Sequence, residues 1–360
     1  MDVAESIPAA SPRRSAGRIL FVPVSGARGM GEYARALALA NAVVRRAPQT
    51  EIHFALSEKA PYAADTPFSK TLLPSSPTFH SYEVCDLIRR FRPTLVVFDN
   101  AGRTAQLRAA VTHGARVIYV SSRLRQRRKA FRMHWMRMID EHWIAYPEFI
   151  AGSPGLLENL KLKWVGRPSL RYLDAVLPSA DAELSASIMT RFGITPDHYV
   201  LVVPGGGSDH PGAVNAPEII ALAAGRLAER GVPTVLVAVP PVTPNAQLHA
   251  TPRLPMTELA ELIRGARLVI SNGGDTLLQT IACGRPCIAV PIAGDQPHRI
   301  ESCEREGLAK GVRLDTGEIV SAALERLEND SRPSGRRSHG AAVRNGMDDA
   351  LRVIERLASP

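Results

Sequence analysis

The sequence has few cysteines and no long apolar run. Its 360 residues include four cysteines, whose spacing matches neither a zinc site nor a disulfide framework, so we expect buried thiols in a reducing cytoplasm. No apolar run reaches the ~18 residues that a membrane-spanning helix needs. These absences argue against a disulfide-stabilised secreted domain and against an integral membrane protein.

Standard phosphate-binding, metal-binding and nucleic-acid-binding motifs are also missing. The sequence contains no G-x-x-x-x-G-K-[ST] loop and no clear G-x-G-x-x-G after its first predicted strand. It has no Asp-x-Asp motif and no RNP, KH or helix-turn-helix signature. We therefore expect no metal ion, no cofactor and no nucleic-acid partner. A bound anion would be held by helix N-termini and backbone amides.

Charge is divided unevenly along the chain. The net charge is +9, but residues 1–165 carry 24 Lys and Arg against 13 Asp and Glu. The remaining residues carry 20 Lys and Arg against 22 acids. A basic half and a nearly neutral half indicate two domains that meet different partners.

Apolar runs alternate with helical patterns twice along the chain, which is typical of βαβ units and parallel sheets. The fold class that this predicts is α/β, with two Rossmann-like, doubly wound domains facing a cleft and ligands at the carboxyl ends of the strands. Predicted strands lie at 19–24, 52–56, 95–98, 117–120, 199–203, 234–239, 267–270 and 287–290. Predicted helices lie at 32–46, 82–91, 104–112, 124–138, 217–230, 257–264, 276–283, 296–306 and 342–357.

Composition and spacing also predict the domain boundaries. We expect a disordered leader at 1–16, an N-terminal domain at 17–165, a linker at 166–178 and a C-terminal domain at 179–330. Residues 331–360 are predicted to form a basic loop and a last helix.

Two glycine-rich loops follow predicted strands in the second half. One reads Pro-Gly-Gly-Gly-Ser-Asp over 204–209, and the other reads Ser-Asn-Gly-Gly-Asp-Thr over 271–276. Glycines allow backbone N–H groups to approach a ligand closely, and the second loop opens a helix that Asp275 or Thr276 could cap. Two such loops in one domain suit a diphosphate. Each loop alone can also be a tight turn between strand and helix.

The segment 268–309 resembles the donor-binding half of GT-B glycosyltransferases, especially the antibiotic-type and peptidoglycan lipid-intermediate groups. The resemblance lies in the order of four pieces: Gly273-Gly274-Asp275-Thr276, Gly284-Arg285-Pro286, Val290-Pro291 and Asp295-Gln296-Pro297. It implies that the glycine turn binds the donor diphosphate and that Asp295 and Gln296 bind sugar hydroxyls. It also implies that 17–165 is the acceptor domain, that 179–330 is the donor domain, and that the last helix of 331–360 packs back on the N-terminal domain.

The implied donor site is larger than the turn. Ser271 stands where many relatives have His, and Gln279 stands where many UDP-sugar users have Glu, so UDP, dTDP and other nucleotides stay open. The implied donor-binding residues are Gly205, Gly206, Gly207, Ser208, Leu254, Met256, Ser271, Asn272, Gly273, Gly274, Asp275, Thr276, Gln279, Asp295 and Gln296, of which Leu254 and Met256 would line the base.

The first predicted strand is followed by SGARGMGEYARALALANAV. This stretch resembles the glycine-rich opening of the peptidoglycan enzyme and of the nucleotide-sugar hydrolase of pseudaminic acid synthesis. Glu32 falls on the position of the family's His and could act as the general base, or as an ordinary partner of the helix dipole. Asp99, at the end of a buried strand, could be a second base, could orient the first, or could cap the next helix.

The stretch 121–149 is strongly basic and contains tryptophan. Seven Lys and Arg lie between 121 and 137, and Trp135 and Trp143 follow closely. This pattern suits an anionic membrane surface or an acidic acceptor, but also a solvated charged face with the tryptophans in the core. We therefore keep open peripheral contact of 123–137 with the inner face of a membrane and a lipid-linked or anionic acceptor.

The resemblance implies a glycosyltransferase that moves a sugar from a nucleotide-diphosphate sugar to an acceptor hydroxyl. It further implies inversion at the sugar, independence of metal, and a cell-surface or secondary-metabolite glycan as product. Two alternatives stay open. One is a nucleotide-sugar hydrolase or 2-epimerase on the same fold, and the other is a non-catalytic protein that binds a nucleotide sugar as a partner in an assembly.

Overall fold

Two parallel β-sheets organise the chain. The computed structural model describes residues 17–27, 30–205, 213, 215–238, 245–330 and 343–359. Each sheet is covered by helices on both faces, because alternate residues of its central strands enter two different apolar clusters. We call the first sheet with its helices the first unit and the second sheet with its helices the second unit.

The first sheet has seven parallel strands in the order β3-β2-β1-β4-β5-β6-β7. The chain reverses its direction of travel across the sheet between β1 and β4, so this is the switch point where a ligand is expected. The strands are β1 (Arg18–Pro23), β2 (Glu51–Ser57), β3 (Ser69–Leu73), β4 (Leu95–Asp99), β5 (Arg116–Ser121), β6 (Glu141–Ile144) and β7 (Ser169–Tyr172).

The second sheet repeats this design with six parallel strands in the order β10-β9-β8-β11-β12-β13. Its switch point lies between β8 and β11, whose registers align Ser271 with Val203. The strands are β8 (Val200–Val203), β9 (Thr234–Val237), β10 (Leu248–Thr251), β11 (Leu268–Asn272), β12 (Cys287–Val290) and β13 (Lys310–Gly311).

Helices connect the strands and cover the sheets. In the first unit they are α1 (Gly31–Arg46), α2 (Ser81–Phe91), α3 (Thr104–Thr112), α4 (Leu124–Ala130), α5 (Met133–Met136), α6 (Glu148–Ala151) and α7 (Leu156–Val165). In the second unit they are α8 (Ala182–Phe192), α9 (Ala216–Glu229), α10 (Met256–Gly265), α11 (Asp275–Ala282), α12 (Gln296–Arg305) and α13 (Thr316–Asp330). No described helix combines the length and the apolar character that crossing a bilayer requires.

The last helix, α14 (Met347–Ala358), packs against the first unit. Its apolar face, which includes Leu351 and Ile354, joins the apolar cluster of α1. The Thr94 hydroxyl donates to the Ala358 carbonyl at 2.9 Å, and Arg356 pairs with Glu141 of β6 at 2.6 Å. The chain therefore returns to the first unit after completing the second.

An apolar cluster also joins the two units. Ile150 of α6 lies in one buried cluster with Leu277 and Ile281 of α11 and Ile300 of α12. The C-terminal edges of the two sheets are thus held facing each other across a cleft, as the α/β fold prediction required.

The structure differs from the predicted elements most clearly in the basic stretch. The predicted helix 124–138 is two short helices, α4 and α5, because the backbone at Arg132 is extended. Strand β6 follows. Its sequence, Glu-His-Trp-Ile, did not indicate a buried strand because it begins with a glutamate. In the structure Glu141 is buried and pairs with Arg171 and Arg356.

Further elements were missed or displaced. Residues 166–178, predicted as a linker, contain the edge strand β7. The structure also adds β3, β10 and β13, the 3-10 helix Pro77–Phe79, and helices α6, α7, α8 and α13. The predicted last helix begins at Met347 rather than at 342. The predicted leader and the basic loop 331–342 lie outside the described residues.

Candidate functional site

The candidate site lies where the two switch points face each other. The first unit contributes the loop between β1 and α1 and the residues that follow β4. The second unit contributes the loop after β8 and the turn between β11 and α11. All four segments leave the carboxyl ends of parallel strands, the edge at which open α/β sheets bind ligands.

Arg35, in the second turn of α1, joins the two units. Its Nε and Nη2 donate to the two carboxylate oxygens of Asp99 at 2.8 and 3.0 Å, and its Nη1 donates to Asp275 Oδ2 at 3.3 Å. Both Arg35 and Asp99 are buried, whereas the Asp275 carboxylate is partly exposed. Burial raises the pKa of Asp99 to about 6, against the opposing effect of Arg35.

The N-termini of α1 and α11 meet at this ion pair. A Cβ atom added at Gly31, the first residue of α1, would lie 3.2 Å from Asp275 Oδ2. Asp275 is the first residue of α11, and the cap position before it is Gly274, which has no side chain to cap the helix. Neither Asp275 nor Thr276 therefore caps α11 in the way the sequence suggested. The Asp275 carboxylate turns to Arg35 instead.

Glu32 lies in the first turn of α1, one turn before Arg35, and Asn100 hydrogen-bonds its carboxylate. Asn100 Nδ2 donates to Glu32 Oε1 at 2.9 Å and also contacts the Ser122 hydroxyl. The Ser122 amide donates to Asn100 Oδ1 at 2.9 Å, which fixes the orientation of the Asn100 amide group. Asn100 follows β4 with a φ of +53°, a conformation that asparagine tolerates better than most residues. Sequence reasoning missed Asn100 and Ser122 as partners of Glu32.

On the opposite wall, Asn272 ties the two glycine loops together. Its Nδ2 donates to the Pro204 carbonyl at 3.0 Å, and its Oδ1 accepts from the Gly274 amide at 2.8 Å. Gly205 has a φ of +124°, and a Cβ atom there would lie 2.1 Å from Asn272 Nδ2. Glycine is therefore required for this contact. Gly206, Gly207 and Ser208 lie outside the described residues.

Gly273 is needed for packing against α12. A Cβ atom at this position would lie 2.8 Å from both Gln296 Cβ and Ile300 Cδ1. Its carbonyl accepts from Arg299, which also pairs with Asp295 at 2.9 Å. The turn is thus anchored to the helix that follows β12.

The acid-amide pair divides into an exposed acid and a buried amide. The Asp295 carboxylate is largely exposed even though it pairs with Arg299. Gln296 is buried, and its Oε1 accepts from the amides of Ile292 at 2.8 Å and Ala293 at 3.3 Å. The position of Asp295 allows contact with a ligand, whereas Gln296 closes the loop that begins α12.

The remaining predicted donor residues differ in burial and in their hydrogen-bond contacts. Ser271 is buried because alternate side chains of β11 point to opposite faces of the sheet. Its hydroxyl donates to the Asn272 carbonyl at 3.0 Å. Gln279 lies beside Met256, whose sulfur is 3.6 Å from Gln279 Nε2. The buried Gln279 Oε1 has no hydrogen-bond partner among the described residues. Leu254 is half-buried against the core of the second unit.

Among the residues that the structure describes, no group of three or more His, Cys, Asp or Glu side chains is placed to hold a metal ion.

Comparison with known proteins identifies the architecture of the chain. No protein-family model matches the sequence, and no curated protein sequence is detectably similar to it. The solved structures do contain similar folds. The spinosyn forosaminyltransferase SpnP superposes with a TM-score of 0.64 at 13% identity, covering 96% of this chain and 100% of that one.

Two further glycosyltransferase structures agree over nearly their whole length. The calicheamicin glycosyltransferase CalG4 gives a TM-score of 0.60 at 14% identity, covering 95% of this chain and 98% of that one. The glycotransferase of kitacinnamycin gives 0.59 at 16% identity, covering 95% and 99%. The chain has the GT-B fold.

The same fold also carries other chemistry. A protein described as a UDP-N-acetylglucosamine 2-epimerase of Listeria monocytogenes superposes with a TM-score of 0.56 at 13% identity, covering 95% of this chain and 96% of that one. At these identities the likeness is one of architecture, so function has to be argued from the site itself.

Proposed function

We propose that this GT-B chain is a glycosyltransferase that moves a sugar from a nucleotide-diphosphate sugar to an acceptor hydroxyl. The observation that carries the proposal is the contact of Arg35 with Asp275. It places the Glu32 carboxylate on one wall of a cleft and the glycine turn of α11 on the other. A sugar between these walls would have its leaving diphosphate on one side and the attacking hydroxyl on the other.

The donor diphosphate suits the second wall. The N-terminus of α11 on this wall presents free backbone N–H groups and the positive end of a helix dipole, and the N-terminus of α1 meets it from the first wall. The Arg35 guanidinium lies beside them and is shared between the Asp99 and Asp275 carboxylates. The Asp275 carboxylate would oppose an anion, but its charge is already partly compensated by Arg35. We propose that these groups hold the diphosphate without a metal ion.

The nucleoside and the sugar would extend from this point along two paths. Gln279, with its unpaired buried Oε1, lies beside Met256 and could accept a hydrogen bond from a ribose hydroxyl. UDP and dTDP remain the nucleotides that we favour. The exposed carboxylate of Asp295 could accept hydrogen bonds from sugar hydroxyls.

Glu32 is the group we assign as general base. Its carboxylate would take the proton of the acceptor hydroxyl as that oxygen attacks the anomeric carbon. The new glycosidic bond forms as the bond from that carbon to the diphosphate breaks, which inverts the anomeric centre and releases the nucleoside diphosphate. Asp99 is assigned a positioning role instead, because both of its oxygens are occupied by Arg35 within the protein interior.

Two experiments in sequence test the proposal. Thermal unfolding is first measured with UDP, dTDP and other nucleoside diphosphates, since a ligand that binds only the folded state raises its stability by RT ln(1 + [L]/Kd). The matching nucleotide sugar is then incubated with a panel of acceptor alcohols, and nucleoside diphosphate release is measured.

The outcomes separate the three candidate functions. Release that depends on the acceptor supports transfer. Equal release without acceptor would identify the hydrolase, and conversion of the nucleotide sugar into its 2-epimer without acceptor would identify the 2-epimerase, the activity by which the Listeria structure is described. Stabilisation by a nucleotide with no turnover would identify a non-catalytic binding protein.

A further inference from the structure

Helix α7 has an exposed apolar face that the rest of the described chain leaves uncovered. Leu156, Leu157, Leu160 and Trp164 are 90%, 73%, 63% and 77% exposed, and no residue of this helix is buried. At 3.6 residues per turn these four side chains fall within an arc of about 100°. They form one continuous apolar stripe rather than scattered exposed residues, and such patches on soluble proteins mark interaction sites.

Basic residues border this stripe. Lys161 and Lys163 flank it on α7 itself, and Lys161 Nζ lies 3.3 Å from the Phe131 carbonyl between α4 and α5. Arg127 of α4 pairs with Glu158 of α7 at 3.4 Å, so the arginine-rich helix α4 lies directly beside α7. Residues 121–139 contain no acid.

The cations on these neighbouring helices are available for a partner. Arg125, Arg128 and Arg132 are exposed, and within the described part of the chain none of them has a carboxylate at ion-pair distance. Lys129 lies among Arg103, Arg125 and Arg132, whose charges, after desolvation by burial, lower its pKa. The surface therefore combines an apolar stripe with uncompensated positive charge.

We propose that α7, with the exposed Arg125 and Arg128 of α4 and Arg132 just after it, is the surface by which this protein docks on an anionic lipid bilayer. Leucine side chains inserted below the headgroups, tryptophan at the interface and cations on the anionic headgroups are the composition of helices that lie in that layer. This revises the sequence prediction, which placed membrane contact on the basic stretch 123–137 alone.

The charge distribution favours a bilayer over a second copy of this chain. A twofold contact over the α7 stripe would bring Arg125, Arg128 and Arg132 close to those of the partner copy, which like-charge repulsion disfavours. An anionic surface complements the same arginines. The docking surface belongs to the first unit and is separate from the cleft, so the proposal does not depend on the reaction catalysed.

The three tryptophans supply a direct test. Trp135 and Trp143 are 1% and 0% exposed, so a change in tryptophan emission on lipid binding reports Trp164. The full chain is mixed at low salt with vesicles of phosphatidylcholine alone, or of phosphatidylcholine and phosphatidylglycerol in equal parts. Binding is measured by co-sedimentation, and insertion by quenching with acyl-chain-brominated lipid.

We expect binding to the anionic vesicles, with quenching of Trp164 emission, and much weaker binding to phosphatidylcholine alone. Leu156→Ser with Leu160→Ser should lower the partition coefficient about tenfold or more, because two apolar side chains no longer insert. Arg128→Gln with Arg132→Gln should lower it roughly fivefold for each charge removed. Leu222→Ser, an exposed leucine on α9 of the second unit, is the matched control and should bind as wild type does.

Three results would overturn the proposal. Anionic vesicles could bind without quenching Trp164 and without any effect of the leucine changes, which would leave only a basic surface. Vesicles could fail to bind while the wild type dimerises through contacts that the leucine changes abolish, which would assign the stripe to a second copy. Absence of both vesicle binding and self-association would leave the stripe without the assigned partner.

Discussion

The two walls of the cleft differ in the groups that line them, which are side chains on the first unit and backbone on the second. On the first unit, charged and amide side chains define the wall: Arg35 bonds Asp99, and Asn100 bonds Glu32. On the second unit, the backbone defines the wall, since glycine-rich loops are tied together by one side chain, Asn272.

This difference follows from what each wall would do. A general base needs a side chain whose orientation is fixed by neighbours, and Asn100 and Ser122 fix Glu32. A diphosphate needs backbone amides that can be approached closely, and side chains would obstruct that approach. The comparison therefore predicts that changes on the first wall affect stability and turnover, whereas changes on the second wall affect donor affinity.

The largest effect on stability is expected from a change that removes the buried ion pair of the first wall. Arg35→Met removes the cation that faces the buried Asp99 carboxylate, and loss of one partner of a buried ion pair typically costs about 3–5 kcal/mol. The free energy of unfolding, measured in urea at pH 7, should fall by this order. The double change Arg35→Met with Asp99→Asn is the control and should recover part of the loss, because no charge is left unpaired. Equal stability of wild type and Arg35→Met would contradict this account.

The free energy of unfolding should also depend on pH through Asp99 of the first wall, by nearly as much. Burial raises the pKa of Asp99 to about 6, so its carboxyl holds a proton more tightly in the folded state than in the unfolded state. Its contribution to stability is full below about pH 4 and is lost as the pH rises through about 6, a change of up to about 3 kcal/mol.

Asp99→Asn should remove this part of the pH dependence. Urea unfolding of the wild type and of this variant is compared at several values between pH 4 and 7. The difference in unfolding free energy between them should shift across this interval. Parallel curves for the two proteins would show that Asp99 does not titrate there.

A smaller effect is expected at the edge of the second wall. Asp295→Ala should weaken binding of the intact nucleotide sugar by about 1.5–3 kcal/mol, the usual range for hydrogen bonds to a charged group, and leave the nucleoside diphosphate unaffected. Isothermal titration with both ligands measures the difference. Gln296→Ala should instead lower stability, since the buried Gln296 holds the amides of Ile292 and Ala293. Identical donor binding by Asp295→Ala and wild type would remove Asp295 from the sugar site.

The smallest effect concerns the tie between the glycine loops. Asn272→Ala loses two hydrogen bonds to backbone, each worth about 1 kcal/mol or less net, so nucleoside diphosphate affinity should fall roughly fivefold to tenfold. Asn100→Ala, the matched change on the first wall, should lower kcat and leave that affinity unchanged. If Asn100→Ala weakens donor binding as much as Asn272→Ala does, the division of labour between the walls is wrong.

The fold could be predicted from the sequence because the central strands of both sheets are apolar runs bounded by turns. The edge strands, and β6 next to the edge strand β7, were harder to predict. Buried Glu141 in β6 is tolerated only because Arg171 and Arg356 pair with it, and both partners lie far away in the sequence. Helix α7 does not show the pattern of a core-facing helix, because its apolar residues face outward.

The candidate site was predicted in part. Glu32 and the turn 272–276 lie on facing walls, as the motifs suggested. Ser271 and Gln296 are buried, which depends on strand register and loop closure rather than on spacing. The contact of Arg35 with Asp275 joins residues 240 positions apart, so only the packing of the two units reveals it.

The central claim is that Glu32 is the general base of a sugar transfer, and Glu32→Gln tests it most directly. Glutamine keeps the shape of the side chain and its contact with Asn100 but cannot accept the proton. Turnover with donor and acceptor should fall by at least about 100-fold, or roughly 3 kcal/mol of activation free energy, while the donor dissociation constant stays unchanged. Turnover within a few-fold of wild type, with the donor still bound, would contradict the account.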